Sequence, residues 1–143
     1  MFHRYNEKAR RVVYFARFEA GDAGDEHIGP EHLLLGLVRD NEPLWAKIAG
    51  PECGSVATQL KGTLFSPAGA KTPLPASADI RASESLKEVF LNAEREADRE
   101  HSDAIDATHL LMALLRQDGD HPAFEILKQH GITYELARQK TSS

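Results

Sequence analysis

Residues 28–37 read Ile28-Gly29-Pro30-Glu31-His32-Leu33-Leu34-Leu35-Gly36-Leu37, and 77 positions later residues 105–114 read Ile105-Asp106-Ala107-Thr108-His109-Leu110-Leu111-Met112-Ala113-Leu114. The echo extends in both directions. Laying residues 6–40 over 83–117 gives 35 pairs, of which eleven are identical, against roughly two expected by chance from ordinary composition. Upstream these are Glu7/Glu84, Val12/Val89, Ala16/Ala93, Glu19/Glu96 and Ala20/Ala97. Within the quoted strings they are Ile28/Ile105, His32/His109, Leu33/Leu110, Leu34/Leu111 and Leu37/Leu114, and downstream Arg39/Arg116. The chain is an internal duplication, and each copy is one structural unit.

Each copy opens on a helix. Ala9, Val12, Val13, Ala16 and Ala20 in the first, and Leu86, Val89, Phe90, Ala93 and Ala97 in the second, recur at the spacing of a single helical stripe. Asn6 and Ser83 stand just before these stripes and suit the N-cap, where a side-chain oxygen accepts a first-turn N–H. A second helix begins at Pro30 in one copy and after Asp106 in the other. It is apolar around half its circumference, which predicts the buried centre of each copy. Shorter helices are expected near Pro43 and after Gly54, then near Pro122 and after Thr133, making four helices twice. Residues 62–82 hold Pro67, Gly69, Pro73 and Pro75 without period and read as an extended linker. No segment alternates apolar and polar residues, so no strand is predicted. The expectation is one all-α domain of about eight helices: repeat one over 1–61, the linker over 62–82, and repeat two over 83–143.

The 143 residues carry 17 Lys+Arg against 22 Asp+Glu, a formal charge of −5. That balance offers no basic face to a phosphate backbone and argues against nucleic-acid binding. The longest apolar run, around Leu33-Leu34-Leu35, falls far short of the roughly 20 residues that span a bilayer, so no membrane partner is expected. The N-terminus lacks a secretory pattern, and Cys53 is the single cysteine, which makes cytoplasmic the default location. The chain is too short for a nucleotide-driven motor and holds no Gly-x-x-x-x-Gly-Lys-[Ser/Thr]. The total charge conceals a basic start to the first helix, with Arg4, Lys8, Arg10 and Arg11, and acidic stretches over 22–31 and 94–106.

With the repeat laid out, Met1-Phe2-x-x-Tyr5-x-x-x-Ala9, Ala16-x-x-Glu19-Ala20 and the string over 28–37 resemble the Clp N-terminal (Clp repeat) domain, and are most similar to its ClpC branch. The resemblance covers nearly the whole chain. It implies a pseudo-twofold pair of four-helix motifs at the front of a ring-forming unfoldase, monomeric when isolated. It also implies a non-catalytic module without cofactors. The implied partners are adaptor and substrate proteins, arginine-phosphorylated ones among them, together with the Clp ATPase/protease assembly. The sequence ends at residue 143, before any ATPase module, and is read either as a cut-out domain or as a free-standing protein.

The same resemblance makes Glu31 a candidate wall of a phosphoarginine pocket, with one pocket per repeat. A carboxylate accepts charge-assisted bonds from guanidinium donors, and the phosphoryl group needs cations or helix-end amides. Arg4, Lys8, Arg10 and Arg11 are the expected source of positive charge. A first-turn Glu is also favoured by the helix dipole without any ligand. The position matching Glu31 is Thr108, which carries no charge, and nearby Asp106 reads as a cap, so at most one working pocket is predicted. Phe2 is carried over from the resemblance as part of a surface for partners and small ligands. Phe2 and Tyr5 ahead of the first helix, with Tyr14, Phe15 and Phe18 on it, are more aromatics than one helix face needs. Some are expected to pack against the facing repeat, the alternative being a groove for a partner's apolar segment.

Other chemistries find less support. His27, Glu31 and His32 would be the residues of a small metal-dependent hydrolase, the competing function. They lack zincin spacing, and a helix start separates the histidines. His32 and His109 occupy equivalent positions and are expected to serve the fold of their own copies. Cys53 lies in no nucleophile signature, and no Gly-x-Ser-x-Gly elbow exists. Glu94, Glu96, Asp98 and Glu100 are read as a solvated helix surface. A ligand-sensing regulatory domain unconnected to proteolysis is the third reading.

Overall fold

The computed structural model describes residues 3–40, 42–50, 54, 58–59, 62, 74–75, 78–116 and 122–141. Within them lie α1 (Glu7–Asp22), α2 (Pro30–Asp40), α3 (Glu42–Ala49), α4 (Glu84–Arg99), α5 (Ala107–Leu115), α6 (Pro122–Gln129) and α7 (Tyr134–Thr141). Both predicted caps hold. Asn6 Oδ1 accepts from the Ala9 N–H at 3.0 Å, and Ser83 Oγ accepts from the Leu86 N–H at 3.1 Å. The helix expected after Gly54 and most of the 62–82 linker lie outside the described residues. No described helix is long and apolar enough to cross a membrane.

The first helices also end alike. Gly24 N–H bonds to Gly21 O at 3.0 Å and Asp25 N–H to Ala20 O at 2.8 Å; in the second copy His101 N–H bonds to Asp98 O at 3.0 Å and Ser102 N–H to Ala97 O at 2.9 Å. This double bond is a Schellman termination, which places one residue in the left-handed region. Gly24 takes it at φ 76°, and its counterpart His101 takes it at φ 55°.

Absence of strands is corrected in a small but telling way. β1 (His27–Ile28) and β2 (Arg81–Ala82) pair in parallel, Ile28 opposite Ala82, and Tyr5 forms a parallel bridge with Ile105. Two residues are too short to show alternation in a sequence. The 77-residue shift carries Tyr5 to Ala82 and Ile28 to Ile105, so one contact is made twice with the repeats exchanged. Its backbone confirms the relation: Asn6 N–H donates to Ile105 O at 3.0 Å, and Ser83 N–H donates to Ile28 O at 2.9 Å.

The core centres on α2 and α5, as their apolar circumference predicts. Leu33, Leu34, Leu37, Leu110, Leu111 and Leu114 are fully buried, joined by Ile48 of α3 and Ile132 ahead of α7. α1 lies so close to α2 that a Cβ at Gly36 would sit 2.6 Å from Val12 O. The repeats are tied again where Lys140 Nζ of α7 donates to Ile48 O at 3.0 Å.

One expectation about side chains is overturned and another is met in part. Glu96 is buried rather than solvated: its carboxylate meets Arg116 Nε at 2.6 Å and accepts the Tyr134 hydroxyl at 3.0 Å. Glu19 and Arg39 make the counterpart pair at 3.3 Å. A clasp between first and second helix therefore explains why both residues recur at the repeat offset. The aromatic surplus divides: Tyr5 is buried and its ring meets Phe90 of the other repeat edge-on at 6.1 Å, whereas Tyr14 and Phe18 stay exposed on α1. Tyr14 is 65% and Phe18 47% exposed, and the Arg39 guanidinium lies 4.9 Å over the rings of both Phe15 and Phe18.

A left-handed backbone costs a residue with a Cβ about 1–2 kcal/mol, partly offset by the greater unfolded-state freedom of glycine. His101→Gly should therefore stabilise the fold by about 0.5–1 kcal/mol, measured by urea denaturation. Gly24→Ala should destabilise it by a similar amount. A destabilised His101→Gly would contradict the assignment.

Candidate functional site

The turn after α1, β1, the first turn of α2 and the start of α4 enclose a polar cleft of about 600 Å³. Its walls carry the acids Asp25, Glu26 and Glu31, the histidines His27 and His32, and the hydroxyls of Ser83 and Ser85. Pro30 opens α2, so Glu31 falls in the first turn, where the helix dipole favours a carboxylate. Its carboxylate folds back over Gly29, so closely that a Cβ there would overlap it. Gly29 is needed for that approach. The Glu31 side chain is 13% exposed.

His32 builds this corner. It is 2% exposed; its Nδ1 accepts the Gly29 N–H at 2.8 Å, and Nε2 lies 3.0 Å from Asp25 Oδ2. His109 repeats the device: Nδ1 accepts the Asp106 N–H at 2.9 Å, and Nε2 lies 2.9 Å from Glu100 Oε2. In each copy the imidazole plays the part that Glu or Gln plays in a capping box, reaching back to the N–H that starts the helix. Both ring nitrogens of His32 are thus engaged within the fold. The described residues contain no group of three or more His, Cys, Asp or Glu that could hold a metal. The hydrolase reading built on His27, Glu31 and His32 gains no support from this arrangement.

The structure separates the proposed cations from Glu31. Arg4 reaches the other repeat, donating to Asp98 Oδ1 at 3.0 Å, to Ser102 O at 3.0 Å and to Asp103 O at 3.1 Å. Arg11 pairs with Asp40 at 2.8 Å, and Lys8 and Arg10 are exposed on α1. None of the four lines the cleft. Asn6 Nδ2 donates to Asp106 Oδ1 at 3.0 Å, so the start of α1 serves the Thr108 side as the start of α4 serves the Glu31 side. Thr108 is half-buried in the first turn of α5, and Asp106 is committed to the cap. Phe2 lies outside the described residues. Ser83, Ser85 and Gly29 were missed as cleft residues. Applying the repeat exchange to the cap positions is the signal that finds the two serines.

A second cleft of about 420 Å³ lies between α5, α6 and α7, with an apolar floor of Leu114, Phe124, Leu127 and Ile132 and with Arg116 and Lys128 at its rim. Its cation Arg116 is already held by Glu96 and lies 4.5 Å over the Tyr134 ring.

Comparison with known proteins gives a consistent answer. The family described as the Clp repeat (R) N-terminal domain matches residues 4–130. The chain is similar to ClpC/MecB of Bacillus subtilis, a negative regulator of genetic competence. Identity is 31% over 140 residues, which cover 98% of this chain and 17% of that protein. It is 30% identical over 143 residues to the chaperone ClpB of Oceanobacillus iheyensis, again covering 98% of this chain and 17% of the relative. The chain thus spans about a sixth of the length of these two relatives. Among solved structures, the Hsp104 N-terminal domain of Candida albicans superposes with a TM-score of 0.76 at 20% identity, over 95% of this chain and 87% of that one. At this identity the likeness shows the fold alone.

Removing one imidazole tests its capping role. His109→Ala leaves the Asp106 N–H without its acceptor and should cost about 1–3 kcal/mol by thermal or urea unfolding. His109→Gln, whose amide oxygen can accept the same N–H, should retain most of the stability. Equal losses in both variants would contradict the cap.

Proposed function

Because the chain belongs to the Clp repeat (R) N-terminal domain family, we propose that it is a binding module without catalysis of its own, one that receives adaptor and substrate segments for a Clp-type ATP-dependent unfoldase and protease. Its ligand group is a guanidinium, and specifically an arginine phosphorylated on that group. The observation that carries this reading is the Glu31 carboxylate set in a polar cleft beside the first turn of α4. The carboxylate takes charge-assisted bonds from the guanidinium nitrogens. The phosphoryl group turns toward Ser83 and Ser85, where hydroxyls and the positive end of the α4 dipole receive an anion. The Ser83 oxygen that caps α4 still has its own proton to donate.

The module works with one cleft. Thr108 stands where Glu31 has its counterpart and offers a guanidinium no negative charge. The basic start of α1 lies on that side, so the two repeats present opposite electrostatics on one scaffold.

Isothermal titration with phosphoarginine should give one site per chain. Glu31→Gln should weaken binding about tenfold or more, from the loss of a charge-assisted pair worth about 1.5–3 kcal/mol. Thr108→Ala should leave it unchanged. Two equivalent sites, or undiminished binding by a folded Glu31→Gln chain, would overturn the reading.

A further inference from the structure

The Nδ1 atom of His32 has two claimants. It accepts the Gly29 N–H at 2.8 Å, and Oε1 of Glu31 lies 3.1 Å from it. One nitrogen cannot satisfy both in the same protonation state. With the imidazole neutral and Nε2–H donated to Asp25, Nδ1 carries a lone pair, which suits the Gly29 N–H and repels a carboxylate. With both ring nitrogens protonated, Nδ1–H donates to Glu31 instead, and the imidazolium lies between Asp25 and Glu31. The ring is 2% exposed, so solvent does little to weaken either arrangement.

Repeat two is an internal control. His109 makes the same two bonds, to the Asp106 N–H and to Glu100. There the residue matching Glu31 is Thr108, and among the described residues no carboxylate pairs with Nδ1. The conflict is particular to the cleft.

We infer that His32 is a positioning residue for Glu31: protonated, it latches the carboxylate against its own ring, and neutral, it releases the carboxylate to the guanidinium group of a ligand in the cleft. The inference rests on the reading of Glu31 as the guanidinium acceptor. Proton and guanidinium then compete for one carboxylate. Ligand affinity therefore rises with pH across the range in which histidines titrate, and each ligand bound expels a fraction of a proton. The other titratable groups facing the cleft are Asp25 on the Nε2 side, Glu26 and His27, while the start of α4 contributes only hydroxyls. His27 is the other histidine of the cleft, so His27→Asn is kept as a shared background.

Two measurements on the whole chain test this. First, nitrogen-15 NMR of the imidazoles without ligand: in Glu31→Gln the response of the His32 resonances to pH should change, while that of His109 stays in place. Superimposable His32 curves would overturn the latch, and this arm needs no histidine variant to fold. Second, phosphoarginine affinity at pH 8 and pH 6: the parent chain should lose about threefold or more over this interval, and His32→Gln clearly less. Identical pH profiles for the two would also overturn the latch as a control of binding. Coupling in the ligand-free NMR together with no phosphoarginine binding at any pH would sustain the latch and defeat the assignment of Glu31 as the guanidinium acceptor.

Discussion

Two reciprocal backbone bonds hold the architecture together: Asn6 N–H to Ile105 O, and Ser83 N–H to Ile28 O. In each, the cap residue of one repeat's first helix is fixed to the short extended segment that precedes the other repeat's second helix. Neither repeat can complete its own entrance without the other. The start of α4 is thereby brought to the start of α2, so Ser83 and Ser85 of repeat two share a cleft with Glu31 of repeat one. The cleft belongs to the exchange between repeats and to neither repeat by itself.

On this symmetric frame the copies keep what packs and vary what is presented. Glu19 with Arg39 and Glu96 with Arg116 are the same clasp, worked into different surroundings. Arg39 lies over phenylalanines of its own repeat's first helix, and Arg116 lies over Tyr134 of α7. His32 and His109 are the same cap. The differences fall at the mouths of the second helices, Glu31 against Thr108, and at the end of the first helix, Gly24 against the strained His101. The duplicated scaffold keeps the same bonds in both copies and varies the residue that stands at Glu31 and at Thr108.

The helical plan was legible because it rests on local signals that a sequence carries openly. Asn6 and Ser83 announce caps, Pro30 announces a first turn, and the leucines of α2 and α5 announce a core. That His32 and His109 serve the fold of their own copies, and that Thr108 stands at the position of Glu31, could be read from the repeat, whereas Glu31 came forward only from the resemblance. What could not be read lies in pairings between distant segments. A two-residue bridge such as Ile28 to Ala82 has no periodicity. Arg4 looks available from its neighbours and is in fact held by Asp98 and the carbonyls of Ser102 and Asp103. Glu96 looks like one of several surface acids until Arg116 and Tyr134 close over it. Its recurrence with Arg116 at the repeat offset was the available clue.

The central claim is that a single cleft, walled by Glu31 and the start of α4, receives the guanidinium of a marked partner. The most direct measurement is amide chemical-shift mapping of the labelled chain during titration with phosphoarginine. Saturable shifts are expected at Gly29, Glu31, His32 and over residues 83–85, and none of that size at Lys8 or Thr108. Shifts centred on Lys8 and Thr108, or equal in both places, would contradict it.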